Sequence, residues 1–260
     1  MKVSIITLTY NSQKNIKRCL ESIASQSHKD IEHIIIDNNS SDNTKKIIED
    51  FPNKNIKLIS EIDKGIYDGW NKGFKMASGD IIGTVMADDL IYDSKTIDLI
   101  IKTFKKNSCD IIYGNMNFFQ NGKIIRKWRA GLYKNWKFYL GWMPPPPTVY
   151  MKKNVIKENK LFNLKLKIAS DYEFFLRLFF LKKYKIKYLD KYIYSLEYGG
   201  ISNKSIKNII KSNIECYKAW KLNGLFITPH IIITKPFLKV LQISDFNFFI
   251  KKYFFTFKTD

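Results

Sequence analysis

Apolar residues in this chain fall in short runs separated by polar clusters, and the spacing within the runs changes from segment to segment. Residues 3–9 (Val-Ser-Ile-Ile-Thr-Leu-Thr) are apolar and β-branched and predict a strand. Across 13–26, Ile16, Leu20, Ile23 and Ala24 recur at helical spacing. Residues 31–36 predict a second strand, and 42–51 a helix with Ser40 or Ser41 as its N-cap. The pattern continues with a strand at 56–60, a helix at 66–77, a strand at 81–86, a helix at 94–106 and a strand at 110–114. Such alternation is the mark of an α/β fold with a parallel sheet and helices on both faces.

After residue 115 the alternation stops. Asn121-Gly122 between two extended runs predicts a hairpin. The four prolines at 144–147 predict an extended, rigid loop. Helix is expected again at 171–182, short strands at 186–189 and 192–197, and a long helix at 203–222. An apolar, lysine-studded tail occupies 230–257.

Open α/β sheets bind ligands at the carboxyl ends of their strands. Three polar clusters fall at such ends: Thr9-Tyr10-Asn11, Asp37-Asn38-Asn39-Ser40 and Asp88-Asp89. A fourth, residues 61–73, is Glu-Ile-Asp-Lys-Gly-Ile-Tyr-Asp-Gly-Trp-Asn-Lys-Gly. Its glycines allow tight turns and close approach, and it holds more polar groups than a packing helix needs. Adjacent carboxylates such as Asp88-Asp89 suit a hard divalent cation, which prefers oxygen ligands.

Length and composition narrow the reading. The chain has 260 residues, 45% of them apolar, enough for one sizeable core with an appendage. Residues 1–100 hold 13 basic and 15 acidic residues, whereas 101–260 hold 31 basic and 9 acidic. A basic half favours anionic lipid, a lipid pyrophosphate or nucleic acid. Only four of the 44 basic residues are arginine, and the first half is acidic, which counts against a nucleic-acid partner. Cys19, Cys109 and Cys216 are widely spaced and are expected to be free thiols. His28, His33 and His230 lack zinc-ligand spacing, and no esterase or P-loop motif occurs. Met1-Lys2 runs directly into a strand-like segment, and no window holds ~18 uninterrupted apolar residues, so a cytoplasmic, non-spanning protein is expected.

Several of these motifs together resemble the bacterial glycosyltransferase family 2 enzymes, in the branch of O-antigen and colanic-acid sugar transferases. Ser4-Ile5-Ile6-Thr7-Leu8-Thr9-Tyr10-Asn11 is similar to the family's first strand. The stretch from Ile36-Asp37 to Thr44 resembles its "IDGGSTDGT" turn, and 61–73 its "ExDxGIYDAMNKG" segment. Gly79 to Asp89 resembles its metal-binding strand. Ile168-Ala169-Ser170-Asp171-Tyr172-Glu173 with Leu176-Arg177-Leu178 is similar to its "AADYDLLLRL" helix. The resemblance covers about residues 1–200. It implies a GT-A fold over 1–200, with a nucleotide-sugar half (1–115) and an acceptor half (116–200), followed by a helical, basic extension over 201–260.

The resemblance also implies roles. The donor would be a nucleotide diphosphate sugar, with UDP preferred, and the anomeric carbon would invert. A divalent metal, Mn2+ or Mg2+, would be bound by Asp89. Tyr10 would stack on the base, Asp37 would hold base or ribose, and Asp88 would contact ribose or sugar. Thr9, Asn11, Asn39, Ser40, Asp63, Lys64, Gly65, Asp68, Asn71 and Lys72 complete the expected donor site. Asp171 would be the general base. Ser170 and Glu173 have capping-box spacing, which predicts Ser170 as N-cap and puts Asp171 in the first helical turn, where the dipole favours its ionised form.

Two departures stand out. Many relatives carry two acidic residues where this chain has Asp37-Asn38. Relatives also tend to have a histidine where Pro146 stands here, so any contact made by that histidine is missing or supplied elsewhere. The expected partners are a polyprenyl-diphosphate-linked saccharide acceptor and the anionic inner face of the plasma membrane. The membrane expectation rests on the aromatic, lysine-rich region around the prolines and on the tail, which also reads as a core helix with a lysine-rich solvent face. A sugar-phosphate nucleotidyltransferase is the competing enzyme class. It would carry a Gly-rich basic loop after the first strand, where this chain has Thr9-Tyr10-Asn11-Ser12.

Overall fold

The computed structural model describes residues 1–120, 122–182, 184–197, 206–226 and 230. In chain order the elements are β1 (Val3–Thr9), α1 (Ile16–Ala24), β2 (Ile31–Asp37), α2 (Thr44–Glu49), β3 (Ile56–Ser60), α3 (Ile66–Met76), β4 (Ile81–Met86), β5 (Leu90–Ile91) and α4 (Thr96–Asn107). There follow β6 (Ile111–Gln120), β7 (Lys123–Trp128), α5 (Asn135–Tyr139), β8 (Tyr150–Lys152), α6 (Lys153–Lys157), α7 (Ser170–Phe175), β9 (Ile186–Glu197) and α8 (Ile206–Leu222).

The strands form one sheet in the order β3-β2-β1-β4-β8-β6-β9-β5, with β7 paired to β6. The first four are mutually parallel. Beyond β4 the sheet is mixed: β8 runs antiparallel to β4 and β6, β9 runs parallel to β6, and β5 antiparallel to β9. Alternate residues of each strand feed opposite faces. Ile6, Leu8, Ile34 and Ile36 face Tyr67 and Phe74 of α3, in a core shared with α7 and α8. Val3 and Ile5 face α1 and α4, and Ile35 faces α1 and α2.

Several local expectations change. The predicted N-cap at Ser40 or Ser41 is not used: α2 starts after Asn43, and Asp42 Oδ1 accepts the Thr44 N–H at 2.9 Å. Pro146–Thr148 forms a 3-10 turn within the proline loop, anchored by Thr148 Oγ1 donating to the Pro145 and Gly114 carbonyls. The two short strands expected near 190 are one strand, β9, which keeps pace with β6 through two register shifts. The helix expected over 171–182 is α-helical only to Phe175 and then π-helical over Leu176–Leu181. Residues 203–205 of the long helix, and all of the 230–257 tail except His230, lie outside the described residues. The three cysteines are free and buried.

Candidate active site

Register brings the ends of β1 to β4 to one height. Thr9 pairs with Asp37, Asp37 with Ser60, and Leu8 with Met86, so Tyr10, Asn38, Glu61 and Ala87 leave the sheet along a common rim. Two turns there require left-handed backbone, and asparagine supplies both: Asn11 at φ 47° and Asn39 at φ 52°. The two turns interlock. Asn11 N–H donates to Ser40 Oγ at 2.9 Å, and Ser41 N–H donates to Asn11 Oδ1 at 2.9 Å. Above them the Tyr10 ring is 58% exposed. Beneath them Thr9 Oγ1 is buried without a hydrogen-bond partner. Asp37 is fully buried. Its carboxylate accepts the Ser40 N–H at 2.9 Å, the Ser60 hydroxyl at 2.6 Å and the Ser40 hydroxyl. In this structure Asp37 and Ser40 therefore brace the rim from below.

The 61–73 segment forms the neighbouring wall. Asp63 N–H donates to Asn38 Oδ1 at 2.7 Å, tying this segment to the end of β2. Lys72 Nζ sits 2.5 Å from Asp63, 2.8 Å from Glu61 and 3.8 Å from Asp68. Burial opposes the lysine's charge, but bonds to Asp63 and Glu61 outweigh it and hold its pKa above the usual value. Asp68 Oδ2 also accepts the Lys64 N–H at 3.0 Å, and Gly65 enters α3 at φ 117°, a conformation that favours glycine. A Cβ on Gly69 would lie 2.9 Å from Asp63 Oδ2 and 3.1 Å from Leu8 Cδ2. Asp63, Asp68 and Lys72, with the Lys64 N–H and the Gly65 turn, thus form one charged ring at the start of α3. Asn71 points elsewhere. Its amide donates to the Phe162 carbonyl at 3.0 Å and accepts the Phe162 N–H at 2.9 Å.

Asp88 and Asp89 follow β4 on the other side of β1. Asp89 is 3% exposed. Its Oδ2 accepts the Tyr194 hydroxyl at 2.7 Å and its Oδ1 accepts the Glu197 N–H at 3.0 Å. Burial, and then the Asp88 charge, push its pKa up to about 8. Burial also raises Asp88, which is half-buried. Arg18 binds Glu197 at 2.7 Å and reaches the Asp88 carbonyl at 3.2 Å. The Asp88 and Glu197 charges both favour a positive partner at Asp89, the Glu197 charge does the same at Asp88, and all three side chains offer oxygen. That donor set fits a hard divalent cation held by one or two carboxylates, with its other positions left to ligand oxygens. Among the described residues no three acidic, histidine or cysteine side chains make a closed metal cage.

Asp171 meets the wall formed by α3. Its Oδ1 accepts the Tyr172 N–H at 2.8 Å and the Tyr67 hydroxyl at 3.3 Å. The same hydroxyl donates to the Ile168 carbonyl at 2.7 Å. Burial, and then the Asp171 charge, raise the Tyr67 phenol, so it stays protonated. The expected capping box does not form: α7 is capped at Ala169 without a side-chain bond, and Ser170 Oγ donates to the Asn163 carbonyl. Glu215 of α8 instead holds the turn that leads into α7. It accepts the N–H groups of Lys167 at 3.2 Å, Ile168 at 2.8 Å and Ala169 at 2.9 Å. Glu173 instead pairs with Arg177 at 2.7 Å, and Arg177 holds the Lys160 and Leu161 carbonyls.

Sequence reasoning missed Tyr67, Tyr194, Glu197, Arg18 and Glu215. Tyr67 lies within a motif already singled out. The other four lie 46 to 179 residues from the partners they serve, and no local pattern flags them. Two clefts lie at the amino ends of strands. One of about 440 Å3 is lined by Phe74, Ala77, Ile82, Lys153 and Lys157, and one of about 250 Å3 by Lys2, Glu32 and Lys57. Neither touches the rim.

Solved structures share this arrangement. TarS from S. aureus, in complex with UDP, superposes with a TM-score of 0.63 at 25% identity, over 83% of this chain and 65% of that one. The mannosyltransferase PcManGT from Pyrobaculum calidifontis, in complex with GDP-Man and Mn2+, gives a TM-score of 0.61 at 15% identity, over 91% of this chain and 69% of that one. Fold and rim define a GT-A protein. The glycosyl transferase family 2 profile matches residues 4–185. The chain belongs to that family. It is 33% identical over 129 residues to the Escherichia coli UDP-Glc:alpha-D-GlcNAc-diphosphoundecaprenol beta-1,3-glucosyltransferase WfgD. That match covers 49% of this chain and 51% of WfgD, so the chain spans about half the length of this relative.

Proposed function

We propose that the chain is an inverting glycosyltransferase that moves a hexose or N-acetylhexosamine from a UDP-sugar to a lipid-linked saccharide in surface-polysaccharide synthesis, at the cytoplasmic face of the membrane. The observation that carries this reading is the Tyr67–Asp171 contact. It delivers an acidic side chain from the second half of the chain to the wall of a polar rim built by the first half. TarS binds UDP, and WfgD is named for a UDP-glucose donor and a diphosphoundecaprenol-linked acceptor, which favours UDP and a lipid diphosphate here.

In this reading residues 1–115 hold the donor, 116–200 the acceptor, and 201–260 form a basic extension. Tyr10 stacks on the base. The buried Thr9 Oγ1, left without a partner, is a group that a bound donor or its water would satisfy. Asp37, Asn11, Asn39 and Ser40 keep the rim in shape for the base and ribose, and Asp88 faces ribose or sugar. The charged ring of Asp63, Lys64, Gly65, Asp68 and Lys72 borders the sugar and diphosphate. Asp89, with Asp88 beside it, would hold a Mn2+ or Mg2+ ion, which when bound supplies positive charge for the departing diphosphate.

The chemistry is a single displacement. The acceptor hydroxyl oxygen bonds to the anomeric carbon as the bond from that carbon to the diphosphate oxygen breaks. The hydroxyl proton passes to Asp171, and the bonding pair leaves with the diphosphate. Tyr67 fixes the orientation of the Asp171 carboxylate from one side, and Glu215 fixes the backbone that carries it from behind. A positioned general base contributes ~10²–10⁴-fold. Asp171→Asn should therefore keep nucleotide-sugar binding, read as thermal stabilisation by UDP-sugar with Mn2+, and lose transfer by that factor. Full transfer by this variant would remove Asp171 from its role. Stabilisation by GDP- or dTDP-sugars in place of UDP-sugars would overturn the choice of nucleotide.

A further inference from the structure

The segment between β7 and the proline loop plays no part in the rim, yet its construction is specific. Three large side chains stand out from it: Leu132 is 64% exposed, Trp136 55% and Tyr139 40%. The backbone beneath them is firmly held. Phe138 is fully buried in the core that contains α7 and α8, and the Tyr172 hydroxyl donates to its carbonyl at 3.0 Å. Tyr133 donates to the Phe179 carbonyl at 2.7 Å, and Trp142 Nε1 to the Ala130 carbonyl at 3.1 Å. The exposed residues are therefore anchors on a rigid base.

The charge carried by this stretch of sequence has one sign. From Ile111 to Lys157 the sequence contains nine lysine and arginine residues and no aspartate or glutamate. Lys134 is exposed between Leu132 and Trp136. Lys137 is half-buried, bonded to the Leu132 carbonyl at 2.6 Å and 5.8 Å from the Trp142 ring centre. Burial, and then Lys134, hold its pKa below the usual value, so nearby negative charge would relieve Lys137. Asp190 of β9 lies 3.9 Å from Arg129, at the start of the segment. Tyr139 packs on Trp220 of α8 at 4.8 Å, and its carbonyl lies 2.7 Å from His230 Nε2. The chain thus returns to this surface just before the sequence of 231–260, which interleaves apolar residues with Lys235, Lys239, Lys251, Lys252 and Lys258.

We propose that Leu132, Lys134, Trp136, Lys137 and Tyr139 form a docking surface for an anionic lipid bilayer. Tryptophan and tyrosine favour the headgroup region, where an apolar body and a polar edge are both satisfied. Each lysine near an anionic surface adds attraction that salt screens. A protein partner for an apolar patch would need acidic groups to match these lysines, whereas an anionic bilayer supplies that charge everywhere along its plane. The inference rests on the proposed lipid-linked acceptor, since it says which face of the enzyme meets the membrane that holds that acceptor.

The test is co-sedimentation of the full chain with vesicles of phosphatidylcholine alone, or of phosphatidylcholine mixed with phosphatidylglycerol. Thermal stabilisation by UDP-sugar with Mn2+ is measured on the same samples. The wild type should bind the mixed vesicles at low salt and release them at ~0.5 M salt, where the screening length is only a few ångströms. Leu132→Ser with Trp136→Ser should lower the partition coefficient at least tenfold. Lys134→Glu should lower it about fivefold at low salt and have no effect at high salt. All variants should keep the wild-type melting temperature and donor stabilisation. A wild type that ignores mixed vesicles at low salt overturns the surface while leaving the donor reading intact. So does a Leu132→Ser/Trp136→Ser variant that binds like wild type, which would return membrane contact to residues 231–260. Vesicle binding lost in the variants, by a protein that no nucleotide sugar stabilises, would uphold the surface and defeat the donor reading.

Discussion

Buried carboxylates in this protein are satisfied by hydroxyls, phenols and backbone N–H groups more than by cations. Asp37 is served by two serines, and Asp89 by Tyr194 and a backbone N–H. Tyr194 also accepts the Met86 N–H at 3.1 Å, so its hydroxyl links the end of β4 to Asp89. Tyr194→Phe should leave both groups short of a partner and cost ~1–3 kcal/mol of stability. It should also weaken Mn2+-dependent stabilisation by donor severalfold, checked by titrating Mn2+ at fixed UDP-sugar. Unchanged Mn2+ affinity would show that Asp89 does not need this support. Glu32 is the comparable group at the opposite end of the sheet. Burial would raise its pKa, but hydrogen bonds from Ser4 and Ser78, with the Lys2 ammonium at 3.1 Å, outweigh burial and hold it far below 4.5. In the unfolded chain it regains its usual value. The stability it contributes is therefore complete above about pH 4.5 and is lost as the pH falls toward the depressed folded value. Glu32→Gln should destabilise by ~2–3 kcal/mol at pH 7. In denaturant titrations the gap from wild type should narrow at pH 3.

At the scale of elements, what the chain discloses depends on whether the information is local. Strands β1, β3 and β4 are legible to the residue, and β2, α1, α3 and α4 nearly so, because their periodicity lies within each segment. The Asn121-Gly122 pair in the sequence announces the pairing of β6 and β7. The start of α7 is misread because its S-x-x-E spacing is a local signal overruled by Glu215, which acts from α8 across tertiary space. The two strands expected near 190 are one for a similar reason: register shifts against β6 absorb an irregularity that breaks the sequence pattern. At the site, the rim and the wall of α3 can be named from sequence, but Tyr194 and Glu197 behind Asp89 cannot. Glycine in α3 shows how a locally poor helix former is imposed by packing. A Cβ on Gly73 would run into Ile6 Cγ2 of β1. Gly73→Ala should gain helix propensity on an isolated peptide yet destabilise the protein by ~1–3 kcal/mol through overpacking. The measurement is a melting temperature lower by several degrees, and a rise would show that α3 can move off the sheet.

Across the whole molecule, α3 is the joint between the part of the chain that forms the rim and the part that carries Asp171. Its first turn holds the charged ring, its Tyr67 meets Asp171, and its Asn71 pairs through both amide atoms with the backbone of Phe162. The loop so held is pinned again by Arg177, whose guanidinium binds the Lys160 and Leu161 carbonyls while paired to Glu173. The family resemblance puts Asn71 in the donor site, whereas this geometry has it tie α3 to the backbone of Phe162, and so set the distance between Asp171, the proposed base, and the rim. The two roles differ in their kinetic signature. A donor contact, once removed, raises the KM for nucleotide sugar. A joint, once loosened, leaves donor binding intact and misplaces the base, and an error of about 1 Å can cost ~10²-fold in rate. Asn71→Ala should therefore lower kcat by ~10–100-fold with donor KM and UDP-sugar thermal stabilisation close to wild type. Asn71→Asp keeps only the acceptor half of the pair, for the Phe162 N–H, and should fall between the two. A rise in donor KM with kcat preserved would place the Asn71 amide in the sugar site and return the joint to Tyr67 alone.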